Sequence, residues 1–121
     1  MASEITINCK FQVVKGSLVH REDPGSVSLD MSGTTATGGA QSITTTAATL
    51  NMGSVSTAGY AFFRNTDTSN SIDIGTGTGA SFAAFSRLKP GEFGIIRLGT
   101  NAPTAKAVAS TVSLQYYILA D

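Results

Sequence analysis

Three groups of side chains in this sequence have the types and spacing that chemistry requires. His20, Glu22 and Asp23 fall within one short polar stretch, close enough for a metal ion or an acid–base pair. Neither a second His nor a nearby nucleophile completes such a site, so the stretch reads as a solvated turn before Pro24. Asp67 and Asp73 are two carboxylates of the kind that flank a glycosidic bond during hydrolysis. Asp67, however, stands where a turn wants a side chain that bonds its own backbone. The run Gly75-Thr76-Gly77-Thr78-Gly79 has the glycine density of a phosphate loop, but such loops open a helix after a strand, and the residues that follow have strand character. It reads as a flexible hairpin. Serine hydroxyls abound, yet His20 is the only base that could activate one. The expectation is no catalytic residue, no cofactor site and no metal site, hence a protein that is not an enzyme.

Cys9 is the only cysteine, so an internal disulfide is excluded and the fold is not built around oxidation. It shares an alternation with Ile5, Ile7, Phe11 and Val13. That places its thiol on an apolar face, where it is expected to be buried, inert and a small hydrophobe. With one His and no Trp, multi-ligand metal sites and the commonest sugar-stacking platform are both missing.

The elements that must position these residues are strands. Period-two alternation marks 4–15, then Val27, Leu29 and Met31, with a loop through 20–25 between them. Residues 32–40, with Gly33, Gly38 and Gly39 among Thr and Ala, read as a long exposed loop. A short strand is expected in 41–46, with a brief turn or second segment at 50–53. The span 59–65 is apolar on both faces and should be a central strand. Strands follow at Ile72 and Ile74, over 81–88 and over 93–98. Between the last two, Lys89-Pro90-Gly91-Glu92 has the Pro and Gly placement of a type II turn. Residues 104–109 suggest an edge strand and 111–120 a strong final one. Arg64, Arg87 and Arg97 interrupt apolar strands, each suited to a sheet edge, an interface pair or a surface site whose alkyl stem covers apolar area. The aromatics Tyr60, Phe62, Phe63, Phe82, Phe85, Phe93, Tyr116 and Tyr117 are expected to serve core and subunit packing. The count is eight or nine strands at spacings of roughly ten residues without a helix, the pattern of a single-domain, all-β, jelly-roll-like sandwich over 1–121.

Composition agrees. Of 121 residues, 58 are Gly, Ala, Ser or Thr, while Lys plus Arg and Asp plus Glu number 8 each. A formal net charge of zero removes the electrostatic footprint of a nucleic-acid binder. The start, Met-Ala-Ser-Glu-Ile-Thr, lacks the basic head and apolar stretch of a signal peptide, and no long apolar run suggests a membrane span. Small side chains return little buried area apiece, so association into dimers or trimers is expected to supplement the core.

The segments Tyr60-Ala61-Phe62-Phe63-Arg64-Asn65-Thr66-Asp67, Asn70-Ser71-Ile72-Asp73-Ile74-Gly75, Leu88-Lys89-Pro90-Gly91-Glu92, Arg97-Leu98 and Ala105-Lys106-Ala107 resemble small virion structural proteins of tailed bacteriophages. The resemblance covers roughly the C-terminal half, and residues 34–49 carry no part of it. It implies a compact non-catalytic β-sandwich of the particle, made in the bacterial cytoplasm and resident in the virion. Its partners would be copies of itself and other virion proteins such as the major capsid protein. A capsid decoration or cement subunit is the leading expectation, a neck, tail or fibre component the alternative, and a glycan-binding sandwich module a third. Residues 1–4 and 32–40 are the segments expected to touch neighbours.

Overall fold

The computed structural model describes residues 3–121, which form ten strands and no α-helix. The chain divides into two compact units, 1–32 and 33–121.

The first unit is a two-stranded ribbon of β1 (Ile5–Lys15) and β2 (Leu18–Leu29). The expected loop at 20–25 is therefore strand. Chain reversal is accomplished earlier, at Gly16, whose φ of 58° lies in the left-handed region. Pro24 is tolerated inside β2 because it falls at a β-bulge: Cys9 faces Gly25 and Phe11 faces Glu22, leaving Asp23 and Pro24 opposite Lys10 alone. A residue without an amide donor can stand where the ladder is already broken. Among the described residues of the first unit there is no second layer, which overturns the expectation for Cys9. Its thiol side chain is exposed, because alternation creates an apolar face but only another layer can bury it.

The second unit is the sandwich. Its strands are β3 (Ala36–Ile43), β4 (Ala48–Thr49), β5 (Ala58–Asn65), β6 (Ile72–Thr76), β7 (Ala83–Leu88), β8 (Phe93–Arg97), β9 (Thr104–Ala107) and β10 (Val112–Ala120). They form two antiparallel sheets, ordered β3-β10-β5-β8 and β4-β9-β6-β7. First pairs with last, second with next to last, and so inward to β6 with β7, while successive pairs alternate between sheets. This is one long antiparallel hairpin folded over on itself, the connectivity of a jelly roll. Two readings change. Residues 36–40 of the expected loop belong to β3, because small residues there pair along β10. Residues 104–107 form not an edge strand but a central one between β4 and β6; Ala105 and Ala107 are wholly buried, where small side chains let the sheets approach.

The core follows the alternation. Val112, Leu114, Tyr116 and Ile118 of β10 and Ala61 and Phe63 of β5 face Ile72 and Ile74 of β6, all buried. Tyr116 is also anchored at its tip, its hydroxyl donating to the Asn51 carbonyl at 2.7 Å. Asn65, at the end of β5, ties the two sheets together. Its buried amide nitrogen donates to the carbonyls of Asn70 (2.8 Å) and Leu88 (3.0 Å), and its Oδ1 accepts from the Asp67 amide (2.9 Å). The turn at 89–92 closes below it with Gly91 at φ 82° and the Glu92 amide 3.0 Å from the Lys89 carbonyl, as the Pro-Gly pair requires.

Candidate interaction surface

The residues singled out for chemistry do not assemble into one site, and Glu22 is exposed on β2 opposite Phe11. His20 lies on β2, exposed, edge-on to the Phe11 ring at 6.4 Å. Asp23 accepts the Gly25 amide at the bulge and stands 3.9 Å from Arg21. Asp67 accepts the amides of Ser69 (2.9 Å) and Asn70 (2.6 Å), the role its turn position foretold. Those two amides, Ser69 first, hold its carboxyl below the ordinary aspartate range. Asp73 forms a two-pronged pair with Arg87, at 2.7 and 3.0 Å. Among the described residues, no three His, Cys, Asp or Glu side chains gather where a metal ion could sit.

The glycine run serves a crowded reversal. A Cβ on Gly75 would overlap the Ala83 carbonyl and one on Gly77 the Ser81 carbonyl, while Gly79 opens a single 3₁₀ turn over Gly79–Ser81. Gly75 is explained by the close approach of β7, Gly77 by the 3₁₀ turn against it, and Gly79 by its φ of 57°.

Surface chemistry differs sharply between the two sheets. On the outer face of β9-β6-β7, Lys106, Asp73 and Arg87 form a row straight across three strands. Opposite charges alternate there, as on a solvated antiparallel sheet. On the outer face of β3-β10-β5-β8, the equivalent row is Gly38, Tyr117, Phe62 and Ile95. A second row runs Ala40, Gln115, Arg64 and Phe93. No Lys, Asp or Glu occupies any outward position on these four strands. Phe93 is 62% exposed, Tyr117 47% and Ile95 44%. The rings of Phe62 and Phe93 stack at 6.0 Å and those of Phe62 and Tyr117 lie 6.3 Å apart, so the aromatics form one continuous patch. Tyr117 fits because its ring lies over Gly38, where a Cβ would collide with it.

The three arginines separate here. Arg87 is paired as described; Arg97 lies over the Tyr60 ring at 5.2 Å and binds Asp121 at 3.1 Å. Arg64 is exposed at the middle of the aromatic face and, among the described residues, meets no carboxylate within ion-pair distance. Of the aromatics expected to serve core and subunit packing, Phe63 and Tyr116 are buried in the core. Of the outward ones, Phe93 and Tyr117 are exposed and Tyr60 and Phe62 half-buried, and Phe85 and Ile96 flank an apolar cleft of about 240 Å³ along the open edge between β7 and β8.

The first unit carries its own apolar surface at the ribbon tip. Val14 faces Val19 on one side, beside Gln12 and Arg21; Phe11, Val13 and Leu18 share the other with His20, Glu22 and Lys15. Phe11, Val14, Leu18 and Val19 are 57–66% exposed. Sequence reasoning identified the alternation in β1 but missed the tip, whose signal was the apolar pair Leu18-Val19 directly after the Gly16 turn.

Comparison of the chain with protein-family models, with curated proteins and with solved structures finds no match.

Proposed function

We propose that this chain is a non-enzymatic structural subunit of a bacteriophage virion, most directly a capsid decoration or cement protein. The observation that carries the reading is the ribbon tip, which exposes large apolar side chains on both of its faces. A two-stranded ribbon is marginal in water by itself, and β1 spans roughly 36 Å at about 3.3 Å per residue. Such a ribbon suits insertion between two protein surfaces rather than adhesion to one. Covering four side chains that are each about 60% exposed returns on the order of 4–7 kcal/mol, comparable to the stability of a small domain. The sandwich is a rigid body of its own, and the sequence resemblance supplies the context of a particle built from many copies.

The test uses particles assembled without this chain. Purified full-length protein should bind them and raise the temperature at which they lose nucleic acid. Phe11→Ser with Val19→Ser should abolish binding while the far-UV spectrum stays β-like. Equal binding by that variant would refute the role given to the tip. A neck or tail location is the second reading, supported by the same resemblance, and it predicts binding at a single vertex only.

A further inference from the structure

We propose that the aromatic outer face of β3-β10-β5-β8 pairs with the same face of a second copy, about a two-fold axis running along the strands between β10 and β5. The inference gives a surface and a symmetry to the self-association expected above, and it rests on the second unit alone.

Chemistry points first to a covered face. The two sheets share one fold and one solvent, yet one presents Lys106, Asp73 and Arg87 in a row and the other Tyr117, Phe62 and Ile95. Enrichment in Tyr, Phe and Arg with loss of Lys, Glu and Asp is the composition of an interface core.

Shape then points to a second copy as the occupant. Across the sheet, the outward side chains run from small to large: Ala36, Gly38 and Ala40 on β3, but Phe93, Ile95 and Arg97 on β8. A two-fold axis along the strands lays β8 of one copy over β3 of the other and β5 over β10. Phe93 then meets the small residue of its own row, Ala40, and Ile95 meets the edge of the Tyr117 ring that lies over Gly38. Tyr117 meets Phe62, and Arg64 meets Gln115, whose carbonyl oxygen can accept from the guanidinium. Each copy supplies the knobs for the other's hollow, which is the self-complementarity an isologous interface demands.

Area and charge agree. Four strands about 4.8 Å apart and about 25 Å long present roughly 500 Å² in flat projection, so a pair covers about 1,000 Å² before side-chain relief is counted, the floor for a specific interface. With a formal net charge of zero, the copies do not repel one another as a whole.

Sedimentation velocity on the full chain over a concentration series is the test. The wild type should sediment at twice the 12.4 kDa monomer mass and dissociate on dilution. Phe93→Glu and, separately, Ala40→Glu should each weaken the dimer by at least about tenfold. Both positions are on edge strands and face outward, so far-UV spectra and melting at low concentration should match the wild type. Lys106→Glu, on the other sheet, should leave the dimer intact. A wild-type monomer at every concentration, a trimer, or dimers undiminished by both face substitutions would overturn the proposal. A monomer that is nevertheless abundant in particles would sink this pairing and spare the virion role; a dimer absent from particles would do the reverse.

Discussion

Replacing Asn65 by Ala should be among the most damaging single changes in the sandwich, although the residue is neither large nor apolar. The side chain is wholly buried and makes three hydrogen bonds, two donated and one accepted. They join the end of β5 to the 66–71 turn and to the last residue of β7, and so link the two sheets. Truncation leaves the Leu88 carbonyl, the Asn70 carbonyl and the Asp67 amide without their partner. An orphaned buried group costs about 1–3 kcal/mol. Taking the Leu88 carbonyl near the middle of that range and the two less buried groups near its lower end gives about 4 kcal/mol. With a urea slope of about 1.5 kcal/mol per molar for a domain of this size, the unfolding midpoint should fall by about 2.5 M. The assay is urea unfolding followed by far-UV circular dichroism, at one fixed protein concentration because association adds to apparent stability. Asn65→Asp keeps the acceptor for the Asp67 amide but sets a carboxylate against two carbonyls, and it should be at least as damaging. A midpoint shift below about 0.7 M for Asn65→Ala, equivalent to roughly 1 kcal/mol, would refute this account of how the sheets are joined.

Three further outcomes are expected. Gly75→Ala should destabilise the sandwich by about 1–3 kcal/mol, because the added methyl meets the Ala83 carbonyl and backbone, whereas Gly94→Ala, whose nearest neighbour is Leu88 Cδ2 at 4.0 Å, should change the melting temperature little. Cys9 should react with a thiol reagent in the native, unassembled protein as readily as in urea, since its side chain is exposed; protection in the free chain would contradict the single-layer ribbon. The Asp67 carboxyl is depressed in the folded state by the Ser69 and Asn70 amides, so its contribution is complete above the unfolded value and is lost as pH falls through the folded one. Thermal melts below about pH 4 should therefore fall less steeply for Asp67→Asn than for the wild type.

Much of the architecture was legible because the core strands alternate cleanly. Val112, Leu114, Tyr116 and Ile118 could bury one face only as a strand, and Lys89-Pro90-Gly91-Glu92 could only be a turn. The first five residues of β3 were not legible, since Ala36, Gly38 and Ala40 have low strand propensity and are held by pairing with β10 and by the ring of Tyr117, a non-local cause. The first part of strand β2, before Val27, was hidden by Pro24 and its charged neighbours, because a bulge that tolerates Pro leaves no local signature. Burial misled at Cys9 for a related reason: alternation reports that a face is apolar, and only the fold reports whether a second layer exists. The same gap concealed the aromatic face. Tyr117 and Phe62 look like core residues in sequence, and their outward direction appears only once register is known.

The proposed virion role is tested most directly by the copy number of this chain in purified phage particles. Quantitative mass spectrometry against the major capsid protein should find hundreds of copies per particle, as a decoration of the shell requires. A small multiple of three or six would move the protein to the neck or tail, and its absence from particles would contradict the virion role altogether.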